Sequence, residues 1–197
     1  MSAILFIRHA ETDMAGTFCG HSDPDLNARG KVQMIELINR LRPEDIGAVY
    51  ASDLRRAHST GTAIASAFAV DCHVRPALRE INFGRWEGLT WKEIEGRDET
   101  YARKWVSERP HLPAPGGERF CDFEHRVIDE VKLLLKEAET KDRPIAVVTH
   151  AGVLRTVLCG LTGCSEEDAW EQTRSYCCVF RYNCAASALM QPVEVGP

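Results

Sequence analysis

The sequence predicts an α/β fold of three layers, with a mostly parallel central sheet and helices on both of its faces. Short continuous apolar runs at residues 3–7 and 145–149 are typical of strands buried in a parallel sheet. Between such runs, apolar residues recur at helical spacing, as over residues 28–41 and 118–139. Strands that alternate with helices usually form a parallel sheet covered on both faces.

The remaining segments fit the same alternation. A second strand is predicted at residues 46–51, and a helix follows Ser52 and Asp53, two residue types that favour helix starts. A further helix is predicted at about residues 152–161 and a final strand at residues 176–182.

The stretch 75–117 differs from the rest of the chain. It is rich in Trp, Gly, Pro and charge, which indicates connections and short helices rather than sheet. We expect residues 81–117 to form a cap over a pocket. The chain of 197 residues is long enough for one domain with its own core, which we place at residues 1–197.

Composition excludes several classes of function. The net charge of -5 gives no electrostatic footprint for nucleic acid. No apolar stretch approaches the roughly 20 residues of a membrane span. The first apolar run is broken by Arg8 and His9, which argues against a secretory signal. The eight cysteines form no C-x-x-C pair, so their spacing does not suggest a zinc site. We therefore expect a cytoplasmic protein with reduced thiols, without a metal, a cofactor, or a nucleic-acid or membrane partner.

Reactive polar residues stand where three predicted strands end. Arg8 and His9 end the first strand, Ser52 and Arg55 follow the second, and His150 follows the strand at 145–149. The carboxyl ends of parallel strands share one edge of a sheet, where ligands bind. Arginine side chains and helix amino termini favour phosphate. A single histidine or arginine at such a position more often has a structural role. The placement of two arginines and two histidines at three strand ends nevertheless predicts an anion site.

Six spaced motifs make the interpretation more specific. They are R-H-A-E-T at 8–12, G-H-S-D-P-D-L at 20–26 with Gly30, S-D-L-R-R-A at 52–57 with Thr60, L-R-E-I-N-F-G-R-W-E-G at 78–88, P-G-G-E at 115–118 and V-T-H-A-G at 148–152. In this order they resemble segments of the histidine phosphatase superfamily, also called phosphoglycerate mutase-like. The resemblance covers about residues 3–183 and implies the phosphoglycerate mutase-like form of the predicted fold.

The resemblance implies a role for each catalytic position. His9 would attack phosphorus and form a phosphohistidine, which splits one displacement into two steps. Arg8, Arg55 and His150 would bind the non-bridging oxygens. Glu80 would protonate the leaving oxygen and later deprotonate the attacking water.

Further substrate contacts are expected around this centre, and two positions depart from the family pattern. Ala10 stands where the family usually has glycine, and Ala15 stands where asparagine is often found, in a loop that is about two residues short. The expected substrate contacts are Thr12, Cys19, Gly20, Phe83, Ala151 and Gly152.

The compact chain resembles the phosphatase branch, in particular alpha-ribazole phosphatase-like proteins. The predicted function is a metal-independent phosphomonoesterase acting on a small phosphorylated metabolite, with alpha-ribazole 5'-phosphate as one candidate. Three alternatives stay open: a phosphoglycerate mutase, a non-catalytic phospho-ligand binding protein, and a metal-dependent hydrolase that uses His9 and His150.

Overall fold

The protein forms a six-stranded sheet with helices packed on both faces. The computed structural model describes residues 3–108, 110–184 and 188–192. The strands are β1 (Ala3–Arg8), β2 (Ala48–Ala51), β3 (Cys72–Val74), β4 (Ile145–Thr149), β5 (Val179–Asn183) and β6 (Ala188–Pro192). The helices are α1 (Ala28–Leu41), α2 (Arg55–Phe68), α3 (Trp91–Arg97), α4 (Glu99–Ser107), α5 (Phe120–Glu139), α6 (Ala151–Thr162) and α7 (Glu166–Thr173). Short 3₁₀ helices lie at Arg42–Glu44, Pro76–Leu78 and Gly84–Trp86.

The sheet has the order β3-β2-β4-β1-β5-β6 and is mostly parallel. The neighbours β3, β2, β4 and β1 pair in parallel, whereas β5 pairs antiparallel with β1. This confirms the predicted three-layer α/β class. Within the described residues, no helix is long and apolar enough to cross a membrane.

Alternate side chains of the central strands pack into two separate hydrophobic cores, one on each face of the sheet. Leu5 and Ile7 of β1 pack with α1 and α2, whereas Ile4 and Phe6 pack with α5 and α6. All four are completely buried, so β1 shows no polar face, as expected for a strand covered on both sides. A third cluster, centred on buried Trp86, gathers aromatic side chains of residues 83–105 and Phe18.

Element boundaries differ from the prediction in informative places. The strand predicted at residues 176–182 is β5, which begins at Val179 because Cys177 adopts a φ of +57°, which is incompatible with extended backbone. It is not the final strand, since β6 follows and pairs antiparallel with it. The strand β3 has only three residues and none of them is buried, so it carries no apolar run that a pattern could reveal. Helix α7 was also missed, although Ser165 caps it by accepting from the Asp168 amide.

Candidate active site

The pairing of β1 with β4 brings the two strand-end histidines together. Arg8 lies opposite Thr149 in the parallel register, so His9 and His150 follow at adjacent positions. Their ring centroids are 5.1 Å apart at an interplanar angle of 60°. Only 7% of His9 and none of His150 is exposed. Two imidazoles thus share one dry site at the carboxyl edge of the sheet.

The surroundings of His9 fix which of its nitrogens carries the proton. Nδ1 lies 2.7 Å from the carbonyl oxygen of Ala10, which can only accept, so Nδ1 donates. Nε2 then carries a lone pair, and the Nε–H of Arg56 donates to it over 3.3 Å. Burial, followed by the charges of Arg56 and Arg8, holds the pKa of His9 well below its ordinary value of 6.5. These contacts favour a neutral imidazole, whose Nε2 lone pair accepts from Arg56.

The arginine beside His9 is Arg56, which corrects the prediction of Arg55. Arg56 is 1% exposed and extends into the site, while the side chain of Arg55 is 58% exposed and forms a salt bridge with Asp25. Adjacent residues of α2 project about 100° apart, so the two side chains cannot serve the same place. The signal was present in the motif, because the arginine of the family pattern directly precedes an alanine, and the residue before Ala57 is Arg56.

His150 is held by a hydroxyl group. Its Nε2 lies 2.9 Å from the Oγ of Ser52. Burial and the charges of Arg56, His9 and Arg8 hold its pKa well below 6.5. Its Nδ1 is buried and has no hydrogen-bond partner among the described residues, and the same is true of the Nε of Arg8. Buried polar atoms without a hydrogen-bond partner are rare in proteins and point to a functional role.

Glu80 reaches the same site from the loop after the Pro76–Leu78 helix. Its Oε2 accepts from the Gly152 amide over 2.9 Å, and its Oε1 accepts from the Ile81 amide over 3.0 Å. A Cβ at position 152 would lie 2.2 Å from Oε1, so this contact requires glycine. Arg126 fixes the backbone by donating to the carbonyl oxygens of Ala77, Arg79 and Glu80.

Residues 19–22 form a loop that is held from both sides. Arg56 donates to the carbonyl oxygens of Cys19, Gly20 and Ser22 over 2.7–3.2 Å. The carboxylate of Glu87 accepts from the amides of Gly20, His21 and Ser22 over 2.8–3.0 Å, and also from that of Phe83 over 2.9 Å. Sequence reasoning assigned no role to Glu87, although it belongs to the W-E-G motif.

The site opens into a cleft of about 880 Å³. Five of the six expected substrate contacts line this cleft: Thr12, Cys19, Phe83, Ala151 and Gly152. Gly20 is the exception, because its amide donates to Glu87 and its carbonyl accepts from Arg56. It shapes the loop instead of facing the cleft. Within the described ranges, no three His, Cys, Asp or Glu side chains are placed to hold a metal ion.

Comparison with known proteins agrees with this geometry. Residues 4–189 match the profile of the Histidine phosphatase superfamily (branch 1). The chain is 35% identical to the metal-independent phosphoserine phosphatase of Arabidopsis thaliana, over 84% of this chain and 71% of the relative. It is 30% identical to phosphoserine phosphatase 1 of Hydrogenobacter thermophilus, over 86% and 81%. The crystal structure of the alpha-ribazole phosphatase from Shigella flexneri superimposes with a TM-score of 0.81 at 28% identity, covering 91% and 89%.

The two neighbouring arginines give a matched test of the site. Arg56→Ala should lower kcat/KM for an aryl phosphate by about 10³-fold, because a charged donor beside the nucleophile is lost. Arg55→Ala removes only an exposed ion pair and should stay within about twofold of the wild type. Both are measured by steady-state kinetics, with circular dichroism as a check on folding. Equal losses in the two variants would contradict the assignment of Arg56.

Glu87 should make the stability of the protein depend on pH. Burial raises its pKa, but hydrogen bonds from Ser22, Phe83 and His21 outweigh burial, so the net pKa lies below the ordinary value of 4.5. Its stabilisation is then complete above pH 4.5 and is lost as the pH falls through the lowered pKa. Glu87→Gln should cost about 1–3 kcal/mol of unfolding free energy at pH 7, since bonds to a charged acceptor are weakened.

Urea unfolding of both proteins at a series of pH values measures this difference. The difference should shrink as the pH falls below 4.5, because the carboxylate of the unfolded wild-type chain takes up a proton first and that of the folded protein follows only at its lowered pKa. A difference that stays constant down to pH 3 would show that the charge of Glu87 does not hold the loop.

Proposed function

The chain belongs to the histidine phosphatase superfamily, and we propose that it is a metal-independent phosphomonoesterase that works through a phosphohistidine on His9. One observation carries this proposal. The Nε2 of His9 has its lone pair directed at the guanidinium of Arg56, 3.3 Å from its Nε. A bound phosphoryl group would replace this hydrogen bond, so that its phosphorus faces the Nε2 lone pair while the guanidinium of Arg56 donates to one of its oxygens.

The first step transfers the phosphoryl group to the protein. The Nε2 lone pair of His9 forms a bond to phosphorus while the bond to the ester oxygen breaks. Arg56, Arg8 and His150 stabilise the equatorial oxygens, and the unpaired nitrogens of Arg8 and His150 gain partners in this way. Glu80, in its protonated form, gives its proton to the leaving alkoxide, so an alcohol departs.

The second step returns the protein to its starting state. Glu80 is now a carboxylate and takes a proton from a water molecule, whose oxygen attacks phosphorus as the bond to His9 breaks. Inorganic phosphate leaves, and His9 is again neutral. The amides of Ile81 and Gly152 fix the carboxylate of Glu80 for both roles. The cations around His9 favour its neutral form throughout, because a like charge disfavours imidazolium.

The outer part of the cleft supports a substrate with a large apolar portion. Phe83, Trp91 and Trp105 line it on the side of residues 81–117, which we propose as the cap. A volume of about 880 Å³ is near the upper end for small-molecule sites and exceeds the needs of an amino acid phosphate. These features favour alpha-ribazole 5'-phosphate, a substrate with a flat base. Phosphoserine is the second candidate, since two relatives are named for it.

We propose a cytoplasmic location as well. None of the eight cysteines, all of which lie in the described residues, forms a disulfide bond, which suits a reducing compartment.

Phosphate release from a substrate panel tests the function. The panel contains p-nitrophenyl phosphate, alpha-ribazole 5'-phosphate, phosphoserine and 3-phosphoglycerate, assayed with excess chelator. The wild type should release phosphate, and His9→Ala should lose at least about 10³-fold in kcat because the nucleophile is gone. Wild type quenched in alkaline denaturant, in which the acid-labile P–N bond of phosphohistidine survives, should carry a phosphoryl group on His9, detected by mass spectrometry after brief exposure to substrate.

Other results would contradict the proposal in distinct ways. Activity that survives in His9→Ala removes the phosphohistidine mechanism, and activity abolished by chelator favours a metal-dependent hydrolase. Transfer of phosphate within phosphoglycerate, without release, favours a mutase. Binding without turnover of any ester favours a phospho-ligand binding protein. A higher kcat/KM for phosphoserine than for alpha-ribazole 5'-phosphate would reverse the order of the two substrates.

The role of Glu80 predicts a dependence on the leaving group. Glu80→Gln cannot donate a proton as an acid does, so esters of poorly acidic alcohols should lose about 10²–10⁴-fold in kcat/KM. p-Nitrophenyl phosphate, whose leaving group needs little protonation, should lose less. The measurement is a series of aryl and alkyl phosphates of graded leaving-group pKa. The same loss for every ester would exclude general acid catalysis by Glu80.

A further inference from the structure

Tyr176 lies against two residues of the site, although no motif includes it. The centroid of its ring is 4.1 Å from the guanidinium carbon of Arg8 and 5.7 Å from the ring centroid of His9. Tyr176 also lines the cleft. A cation over an aromatic face is attracted by the ring, and more strongly when water is excluded.

Arg8 needs such support because of how its charge is placed. No carboxylate of the described residues forms a salt bridge with Arg8, so its charge remains available to an anion. Its Nη1 donates to the carbonyl oxygens of Thr173 and Arg174, at the end of α7. Its Nε has no partner among the described residues. The ring of Tyr176 restricts the guanidinium without occupying any of its N–H groups.

The backbone around Tyr176 is shaped to place the ring there. Cys177 has a φ of +57°, in the left-handed region that side chains rarely adopt. The kink lets the Cys177 amide donate to the His9 carbonyl over 3.4 Å, and the Arg8 amide donate to the Cys178 carbonyl over 3.0 Å. Residues 176–178 therefore bind the end of β1 at backbone level. Local strain that persists in a folded protein is often found at functional sites.

We propose that Tyr176 is a positioning residue of the phosphoryl site, whose ring face holds Arg8 in the orientation that binds a phosphoryl oxygen. The inference rests on the proposed function, since it needs Arg8 to bind phosphate. The hydroxyl group is not required for the contact. Only a flat π face at position 176 is required.

Substitutions that keep or remove the ring test this. Tyr176→Leu should raise the Kd of inorganic phosphate, measured by calorimetry, and lower kcat for p-nitrophenyl phosphate, each by about tenfold. Tyr176→Phe keeps the ring and should restore both to within about twofold. In an Arg8→Ala background, Tyr176→Leu should change the Kd of phosphate no further, because the residue through which it acts is gone.

A second Arg–Tyr stack supplies the matched control. The ring of Tyr50 lies 5.1 Å from the guanidinium carbon of Arg75, away from the two histidines. Tyr50→Leu should lower the melting temperature without changing the Kd of phosphate. If Tyr176→Leu does not fold, Tyr176→Met fills similar space without a π face and answers the same question.

Each contrary result has a definite meaning. Wild-type kinetics in the Leu or Met variant would overturn the proposal, as would an undiminished effect in the Arg8→Ala background. Equal losses in the Phe and Leu variants would replace the ring with the hydroxyl group as the active feature, and would also overturn it. If the activity of the wild type is lost in His9→Ala, the proposed function stands in all these cases. A failure of the Tyr176 proposal can therefore be told apart from a failure of the proposed function.

Discussion

The buried guanidinium of Arg56 is the interaction on which the site depends. A charge removed from water is costly unless every donor is matched. Arg56 meets this demand with neutral acceptors: the Nε2 of His9 and the carbonyl oxygens of Cys19, Gly20 and Ser22. A protonated His9 could not accept from it, so the hydrogen bond itself favours the neutral imidazole. The same contacts hold the loop at residues 19–22 against α2. The position of the loop therefore depends on the guanidinium of Arg56, to which its carbonyl oxygens bind.

Two carboxylates complete this frame from distant segments of the chain. Glu87 binds the amides of the loop whose carbonyl groups bind Arg56, so the backbone is fixed by an anion on one side and a cation on the other. Glu118 forms a salt bridge with Arg126, which holds the carbonyl oxygens beside Glu80. Catalytic groups need support of this kind, because a small misplacement costs a large part of the rate.

Much of the fold and the core of the site could be predicted from local patterns, and the failures have physical causes. Continuous apolar runs marked β1 and β4 because both strands are buried on two faces, and their carboxyl ends placed His9 and His150 correctly. The error between Arg55 and Arg56 arose because two arginines stand side by side in the motif and the role was assigned to the first, although the burial of the second shows which side of α2 faces the site. The role of Glu87 could not be predicted because its partners are backbone amides, which are present at almost every residue and leave no pattern in the sequence.

In the proposed function, the phosphoryl group and the rest of the substrate contact different parts of the fold. The phosphoryl end is built on β1, β4 and the amino termini of two helices, all of which belong to the sheet and its main cores. The outer wall belongs to a third cluster around Trp86, which has its own packing. Under the proposed function, we therefore expect substitutions in this cluster to change which ester is accepted without moving His9 or Arg56, provided that Glu87 and the backbone of Phe83 stay in place. Relatives named for phosphoserine and for alpha-ribazole phosphate are compatible with one such arrangement, because the group they share is the phosphate.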